Sequence, residues 1–196
     1  MRWDHLFDDL AGQLEHELQA EQADLQLEEE RLRLGRLAVR DRVVSLRSAP
    51  DPAASRIRCR LRSGDVIRLT LVTVGRDWMA GDLDDSPARE QAIIPLSAVD
   101  GLLLTPEQAQ TSLGPVVERS ELAARLGISF LLRDLCRRRR AVTVRTVSGT
   151  ITGTIDRVGR DHLDLAEHDL DVVRRANAVR QVRIIPTEHV MLVSVA

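Results

Sequence analysis

The amino-acid sequence predicts a mainly β protein with helices, in which a small five-stranded barrel occurs twice in tandem behind an acidic N-terminal helix. Three observations lead to this prediction. Two segments of the chain repeat the same short motifs in the same order. Within each segment, apolar and polar residues alternate as they do in half-buried strands. The first 34 residues instead carry leucines at helical spacing among acidic residues and glutamines.

The internal repeat is the observation on which the fold prediction depends most. Both of its motifs occur in each copy: Val-Gly-Arg-Asp at 74–77 and 158–161, and Ile-Ile-Pro at 93–95 and 184–186. Chance could supply either match, but not their common order. We therefore predict that residues 56–104 and 141–195 fold as two equivalent units.

Each copy contains five predicted strands. Residues 56–62 alternate strictly between arginines and apolar residues, which places the two kinds on opposite faces of a strand. Ser63-Gly64 and Ser148-Gly149 predict tight hairpin turns, because glycine tolerates a positive φ. Five short strands after a helix can close into a small barrel, which removes exposed sheet edges. Matching apolar positions should form the two cores: Ile67, Leu71, Val74, Val142, Val144, Ile151, Ile155 and Val158.

Residues 3 to about 34 are predicted to form one helix, because they contain no proline and their leucines recur at helical spacing. Residues 1–34 carry ten acidic residues and three arginines, a net charge of −7. Two roles stay open for the leucine stripe: packing against the protein's own body, or self-association into a homo-oligomer. A second, shorter helix is predicted at 37–47. The stripe consists of Leu6, Leu10, Leu14, Leu18, Leu25 and Leu32.

The amino-acid composition gives expectations about the cores, the host organism and the cellular location of the protein. Only 2% of its 196 residues are aromatic, so the predicted cores are aliphatic. All 28 basic residues are arginine, which indicates a GC-rich genome and an actinobacterial host. No segment has the pattern of a signal peptide or the apolar length of a membrane span, so we expect a cytoplasmic protein without membrane contact. Cys59 and Cys136 lie alone in different elements, and no disulfide is expected in a reducing compartment.

Residues 142–158 resemble the first sequence motif of Sm-like and Hfq-like proteins. They combine the Ser148-Gly149 turn with a mid-strand glycine, Gly153, that allows the second strand to bend sharply. Ile185-Pro186 and the apolar run after it resemble the second motif of that family. The whole chain is also similar to an actinobacterial family with two tandem Sm-like barrels, some of whose members bear the label Fis family regulator. The resemblance implies tandem duplicated Sm/SH3-like five-stranded barrels.

The chain departs from the Sm-like pattern at the residues that bind RNA. RNA-binding members of the family use an Asp and an Asn that flank the turn into the third strand. Gly159 and Leu163 occupy those positions in the second copy, and Gly75 and Met79 occupy them in the first. Leu69 also stands where the first copy should have its bend glycine. We therefore expect the fold of the family and not its RNA site.

The sequence predicts four segments: an acidic N-terminal helix (1–34), a helix with the first barrel (35–104), a linker with the start of a helix (105–128), and a helix with the second barrel (129–196). Within the last two, residues 120–129 have the alanine and glycine spacing of a helix-turn-helix. Arg133, however, stands where that motif needs an apolar residue, and no third helix accompanies the pair. We expect this helix to precede the second barrel rather than to read DNA.

Two groups of arginines are candidate contacts for a nucleic acid or an acidic partner. Clustered arginines bind phosphate backbones through charge and counterion release. A solvated strand face in a lysine-free protein explains the same pattern. The candidates are Arg56, Arg58, Arg60 and Arg62 on one strand, and Arg137, Arg138, Arg139 and Arg140 before the second barrel.

No catalytic, cofactor-binding or metal-binding residue is predicted, and we expect a protein that is not an enzyme. The sequence contains no Gly-rich phosphate loop and no Gly-x-Ser-x-Gly nucleophile motif. The acidic and histidine residues between Asp161 and Asp169, and those at Glu188-His189, are interpreted as polar loop residues rather than metal ligands.

The predicted function is that of an interaction or regulatory scaffold, whose barrels and acidic helix offer separate surfaces to a protein partner. The alternative is an RNA- or DNA-associated regulator whose acidic arm tempers its arginine faces. The charge distribution is compatible with both, because residues 35–196 carry a net charge of +5 behind an arm of −7.

Overall fold

The fold is described from a computed structural model that covers residues 3–85, 90–117, 121–170, 175 and 179–195. The chain divides into two compact units, Met1–Ala38 and Val39–Ala196, and each is described by itself. Across the described ranges, no helix has the length and apolar character needed to cross a membrane.

The first unit contains the predicted N-terminal helix, α1 (Trp3–Arg36). Its surface is charged, and the guanidinium of Arg33 donates to the Glu30 carboxylate one turn earlier at 2.6 Å. The leucine stripe is exposed at Leu18, Leu25 and Leu32. The side chains of its other three leucines, Leu6, Leu10 and Leu14, lie outside the described residues.

The second unit contains two halves of the same design, each with a helix followed by five strands. In the first half, α2 (Val39–Ser48) precedes β1 (Arg56–Leu61), β2 (Val66–Val74), β3 (Trp78–Leu83), β4 (Gln91–Pro95) and β5 (Val99–Leu103). Two short helices then connect the halves, α3 (Pro106–Thr111) and α4 (Glu121–Arg125). In the second half, α5 (Ile128–Arg137) precedes β6 (Ala141–Thr146), β7 (Gly149–Val158), β8 (His162–Glu167), β9 (Gln181–Pro186) and β10 (Val190–Val195).

All ten strands in the described ranges belong to one antiparallel sheet, in the order β5-β1-β2-β3-β4-β10-β6-β7-β8-β9. This result confirms a mainly β fold behind an N-terminal helix, but it corrects the expectation of two closed, separate barrels. The sheet is open, because its outer strands β5 and β9 do not pair with each other, and neither half is a closed barrel of its own, because β4 of the first half pairs with β10 of the second. Val193 lies opposite Ile93 in that seam, and Ser194 lies opposite Ala92. The edge strands of the two halves therefore satisfy each other's backbone groups instead of closing on themselves.

The two halves repeat one another in detail. In each half, the fifth strand pairs with the first, and the second, third and fourth strands follow in order. Each half also has a bulge in its second strand, after Leu71 in the first half and after Ile155 in the second. The Val-Gly-Arg-Asp motifs occupy equivalent turns, as predicted: the amide of Gly75 donates to the Trp78 carbonyl, and that of Gly159 donates to the His162 carbonyl, both at 2.8 Å. The repeat in the sequence is thus a repeat in the strand pairing.

In each half, an arginine of the helix before the first strand donates a hydrogen bond to the Val-Gly-Arg-Asp turn. In the first half, the Arg40 guanidinium of α2 donates to the carbonyl of Gly75 at 2.7 Å. In the second half, Arg133 of α5 donates to the carbonyl of Gly159 at 3.5 Å. Arg133, which is unsuitable in a DNA-reading helix-turn-helix, therefore has a structural role here, because its long cationic side chain reaches the turn next to its helix.

The apolar residues form two cores, one for each half. Seven of the eight predicted core residues are buried, and Val158 is partly buried against the second core. The cores also exchange residues across the seam. Met191 and Leu192 of β10 belong to the first core, and Trp78 of β3 belongs to the second. The seam is thus held by apolar packing as well as by backbone hydrogen bonds.

A glycine is required in each half where the second and third strands come closest. A Cβ atom on Gly153 would lie 2.1 Å from the carbonyl oxygen of Ala166. In the first half, where Leu69 replaces the expected bend glycine, the glycine is on the neighbouring strand instead. A Cβ atom on Gly81 would lie 2.2 Å from the carbonyl oxygen of Thr70. The close approach is therefore kept in both halves, although by different strands.

We expect Gly81→Ala and Gly153→Ala each to lower the free energy of unfolding by about 1–3 kcal/mol, because the new methyl group meets a backbone carbonyl that cannot turn away. Urea denaturation followed by circular dichroism measures the change. Gly101→Ala is the matched control, since its Cβ atom would meet nothing within 4 Å. Equal effects of all three substitutions would contradict the close approach of these strands.

Candidate functional site

The candidate arginines of β1 lie on its solvent face. Strand alternation buries Ile57, Cys59 and Leu61 in the first core and leaves the intervening arginines exposed. On the neighbouring strand, Arg68 lies directly opposite Arg58. We call the cluster of Arg56, Arg58, Arg60 and Arg68 the β1 arginine face.

The β1 arginine face retains positive charge. Arg68 forms an ion pair with Asp85 at 3.1 Å, in which both side chains are more than half exposed. Among the described residues, no carboxylate lies within ion-pair distance of Arg56, Arg58 or Arg60. Like charges directly opposite each other in a sheet destabilise the pair. An anion bound over this face would relieve that repulsion.

The fourth predicted arginine of β1, Arg62, has a structural contact. It lies in the hairpin after the strand, and its guanidinium donates to the Glu188 carbonyl of the second half at 2.8 Å. Arg62 therefore links the two halves near the seam. The local sequence does not distinguish Arg62 from the other three predicted arginines of this strand, because its partner is a backbone oxygen 126 residues away.

The second predicted group begins at Arg137, the last residue of α5, and Arg137, Arg138 and Arg139 are paired with carboxylates of the same half. Arg137 and Arg138 each bind the Asp134 carboxylate at 2.6 Å. These hydrogen bonds, the one from Arg137 first, hold the pKa of Asp134 below its ordinary value. Arg139 pairs with Asp156 at 3.2 Å. The spacing of Asp134 from the two arginines, three and four residues, is a sequence signal for these pairs.

The two arginine groups do not lie side by side in the sheet. The β1 arginine face belongs to the first half, whereas Arg137–Arg140 lead into β6. Four strands, β2, β3, β4 and β10, separate β1 from β6 in the strand order. The two groups therefore have different surroundings: among the described residues, Arg68 is the member of the β1 arginine face with an ion pair, whereas Arg137, Arg138 and Arg139 all pair with carboxylates.

The first Val-Gly-Arg-Asp turn has a contact that the sequence did not reveal. The amide of Ile128, at the start of α5, donates to the Asp77 carboxylate at 2.8 Å. The Trp78 indole donates to the Leu126 carbonyl at 2.9 Å, and the Arg76 amide donates to the same oxygen at 3.1 Å. A turn of the first half thus caps the helix that enters the second, which satisfies amide and carbonyl groups at the helix start.

A groove of about 400 Å³ lies at the seam next to these contacts. Most of its lining surface is apolar, and two arginines contribute to it. It is lined by residues of both halves, including Trp78, Ile93, Leu131, Leu135, Arg138 and Arg140.

Two side chains of chemically reactive types, Cys59 and His168, are buried. Burial raises the pKa of the Cys59 thiol to about 12. His168 is buried, with Nε2 bonded to the Thr154 hydroxyl and Nδ1 to the Asp169 carbonyl, both at 2.8 Å. Within the described ranges, no three His, Cys, Asp or Glu side chains are grouped so that they could hold a metal ion.

Comparison with known proteins adds no family. No family model matches the chain, and no match to a curated protein was found.

We expect Cys59 to be unreactive toward a thiol reagent at pH 8 in the folded protein, because a thiol with a pKa of about 12 is almost entirely protonated there. Ellman's reagent on the Cys136→Ser variant isolates Cys59, and the same sample in denaturant gives the full count of thiols. Rapid stoichiometric labelling of folded Cys136→Ser would contradict the burial of Cys59.

Proposed function

We propose that this chain is a non-enzymatic interaction scaffold, in which two Sm-like barrel units joined edge to edge present a cationic face to an acidic protein partner. The observation that carries the proposal is the β1 arginine face. In this face, Arg56, Arg58 and Arg60 are exposed and have no carboxylate in ion-pair range among the described residues, and the apolar residues between them pack in the first core. A rigid backbone lowers the entropic cost of holding charged side chains in place for a partner.

The shape of each half supports the barrel-like part of the proposal. In the first half, the outer strands β4 and β5 are joined by only three residues, Leu96–Ala98. Such a connection spans at most about 14 Å, whereas the outer strands of a flat five-stranded sheet lie about 19 Å apart. The half must therefore curl. Thr187–His189 impose the same constraint on β9 and β10.

An acidic protein surface accounts for the β1 arginine face better than a single-stranded nucleic acid does. Single-strand binding commonly combines basic residues with aromatic side chains on which bases stack. Aromatic residues make up only 2% of this chain, and none lies on β1 or β2.

We expect the full-length double variant Arg58→Glu/Arg60→Glu to bind an acidic polypeptide, fluorescently labelled polyglutamate, about tenfold more weakly than the natural chain. Each exposed ion pair contributes about 0.2–1 kcal/mol, so losing two at about 0.7 kcal/mol each weakens binding by about this factor. Fluorescence anisotropy at low salt measures it. Arg157→Glu/Arg160→Glu is the matched control, with the same charge change on exposed residues of the second half. Equal losses would show diffuse attraction and contradict a specific face.

The second candidate function is that of an RNA- or DNA-associated regulator, and the charge asymmetry favours it. A tethered arm of −7 competes with phosphates for the arginines at high effective concentration.

We therefore expect deletion of residues 1–34 to raise the affinity for nucleic acid, most clearly at low salt. The deletion also moves the net charge from −2 to +5, which acts in the same direction. Charge reversal of Arg58 and Arg60 in the shortened chain separates the two effects, because only a specific face loses most of its binding. Electrophoretic mobility shifts with RNA and with duplex DNA across a salt series measure them. If the shortened chain ignores both near 50 mM salt, the second candidate fails.

A further inference from the structure

The groove at the seam exposes part of the second core. Its lining combines α5 of the second half with β3 and β4 of the first. A volume of about 400 Å³ and a mainly apolar lining are typical of a pocket that holds a ligand. Among the described residues, most of the apolar side chains that are only partly buried against the second core line this groove: Ala80, Ile93, Leu131, Leu135 and Val195.

The internal repeat aligns α5 with α2. Arg133 of α5 corresponds to Arg40 of α2, because each donates to the Val-Gly-Arg-Asp turn of its own half and each is followed by an aspartate. The residues of α2 that correspond to the groove residues Leu135 and Arg138 are therefore Arg42 and Ser45.

In the first half, this flank of the helix is covered by the chain that connects the halves. The Arg42 guanidinium donates to the Ser112 hydroxyl at 2.8 Å, and the Ser45 hydroxyl donates to the Gly114 carbonyl at 3.1 Å. Ser45 and Ser112 are both buried. A segment of polypeptide thus packs along α2 and accepts hydrogen bonds from its side chains.

The corresponding flank of α5 lines the groove, and its chemistry differs from that of α2. An apolar residue, Leu135, replaces the charged Arg42, and a charged residue, Arg138, replaces the neutral Ser45. An occupant of the groove must therefore offer an apolar group where the linker offers a hydroxyl, and an anion where the linker offers a carbonyl.

The guanidinium of Arg138 is oriented for such an anion. Its Nε donates to the Asp134 carboxylate at 2.6 Å, its side chain is 69% exposed, and among the described residues nothing accepts from its two terminal nitrogens. The end of its planar fork is thus open to a carboxylate. Asp134 does not cancel the charge, because Arg137 and Arg138 share it.

We propose that the seam groove binds a segment of a protein partner in which an aliphatic side chain lies next to a carboxylate. The aliphatic side chain packs against Leu135 and Ile93, and the carboxylate binds the terminal nitrogens of Arg138. A polypeptide is the occupant that the repeat favours, because the linker covers the corresponding flank of α2.

This inference rests on the proposed function for its acidic partner, and it adds an apolar anchor to that partner. The groove shares no residue with the β1 arginine face, so each site can be tested without the other.

Two labelled peptides test the apolar anchor on the full-length chain. Glu-Leu-Glu-Glu-Leu-Glu carries the proposed pairing, and Glu-Ser-Glu-Glu-Ser-Glu has the same charge without an aliphatic side chain. Fluorescence anisotropy should show about tenfold tighter binding of the leucine peptide, because a leucine side chain leaves water. Leu135→Gln should abolish this preference. Equal binding of the two peptides by the natural chain, or an unchanged preference in Leu135→Gln, overturns the proposal.

Arg138→Gln tests the charged end of the groove. It should weaken binding of the leucine peptide about fivefold, as expected for the loss of one exposed ion pair. Arg137→Gln is the matched control, because Arg137 binds the same Asp134 carboxylate but does not line the groove. Circular dichroism verifies that both variants are folded. Equal losses in the two variants contradict a carboxylate site at Arg138.

Trp78 reports where the peptide binds. In the full-length Trp3→Phe variant it is the remaining tryptophan of the chain, and it lines the groove. Saturating unlabelled leucine peptide should change the Trp78 emission, and the serine peptide at the same concentration should not. Unchanged emission with the leucine peptide overturns the assignment to the groove.

The variant Arg58→Glu/Arg60→Glu separates this inference from the function proposed above, since it should keep the preference for the leucine peptide. If it binds polyglutamate as tightly as the natural chain does, the β1 arginine face fails, and a leucine preference that depends on Leu135 still supports the groove. If it loses polyglutamate binding while the natural chain shows no leucine preference, the groove fails and the proposed function is supported.

Discussion

The pairing of β4 with β10 is the interaction on which the rest of the body depends. Five strands that curl without closing leave two rows of unsatisfied amide and carbonyl groups, and the seam removes one row from each half. Side chains then cross in both directions, with Leu192 in the first core and Trp78 in the second. The side chains of Arg62 and Asp77 add hydrogen bonds between the two halves. The two halves therefore form one compact unit, with their relative register set by a backbone ladder.

Local features of the fold could be predicted from the sequence because they depend on local physical rules. Alternation in β1, the glycines of the hairpin turns and the matching core positions all depend on neighbouring residues. The seam was not predictable in this way. Its hydrogen bonds join backbone groups, which every residue possesses, across more than 90 positions of the chain. A single strand needs the same alternation of apolar and polar residues in a closed barrel as in two units that pair edge to edge.

In the candidate site, too, contacts set by local sequence could be predicted, whereas contacts between distant residues could not. Exposure of Arg56, Arg58 and Arg60 follows from strand alternation, so their position was predictable. The run at the end of α5 has its partner Asp134 one turn away, and that pairing was readable from helical spacing. The contact of Arg62 with a distant carbonyl, and the capping of α5 by Asp77, depend on how the halves meet. A residue's type and spacing indicate what it can bind, whereas the tertiary fold decides which groups come within its reach.

The exchange of glycines between strands has a consequence for how such a chain can change over generations. The need for a side-chain-free position belongs to the pair of strands and not to either residue, since Gly81 and Gly153 meet it from opposite sides. A bulky residue becomes tolerable at one position only once the close approach of the backbones has moved to a glycine on the other strand, so the order of the two mutations matters. Among diverging relatives, these two alignment columns should covary. A search that requires a glycine in one fixed column would miss sequences that place it on the other strand, as the first half of this chain does.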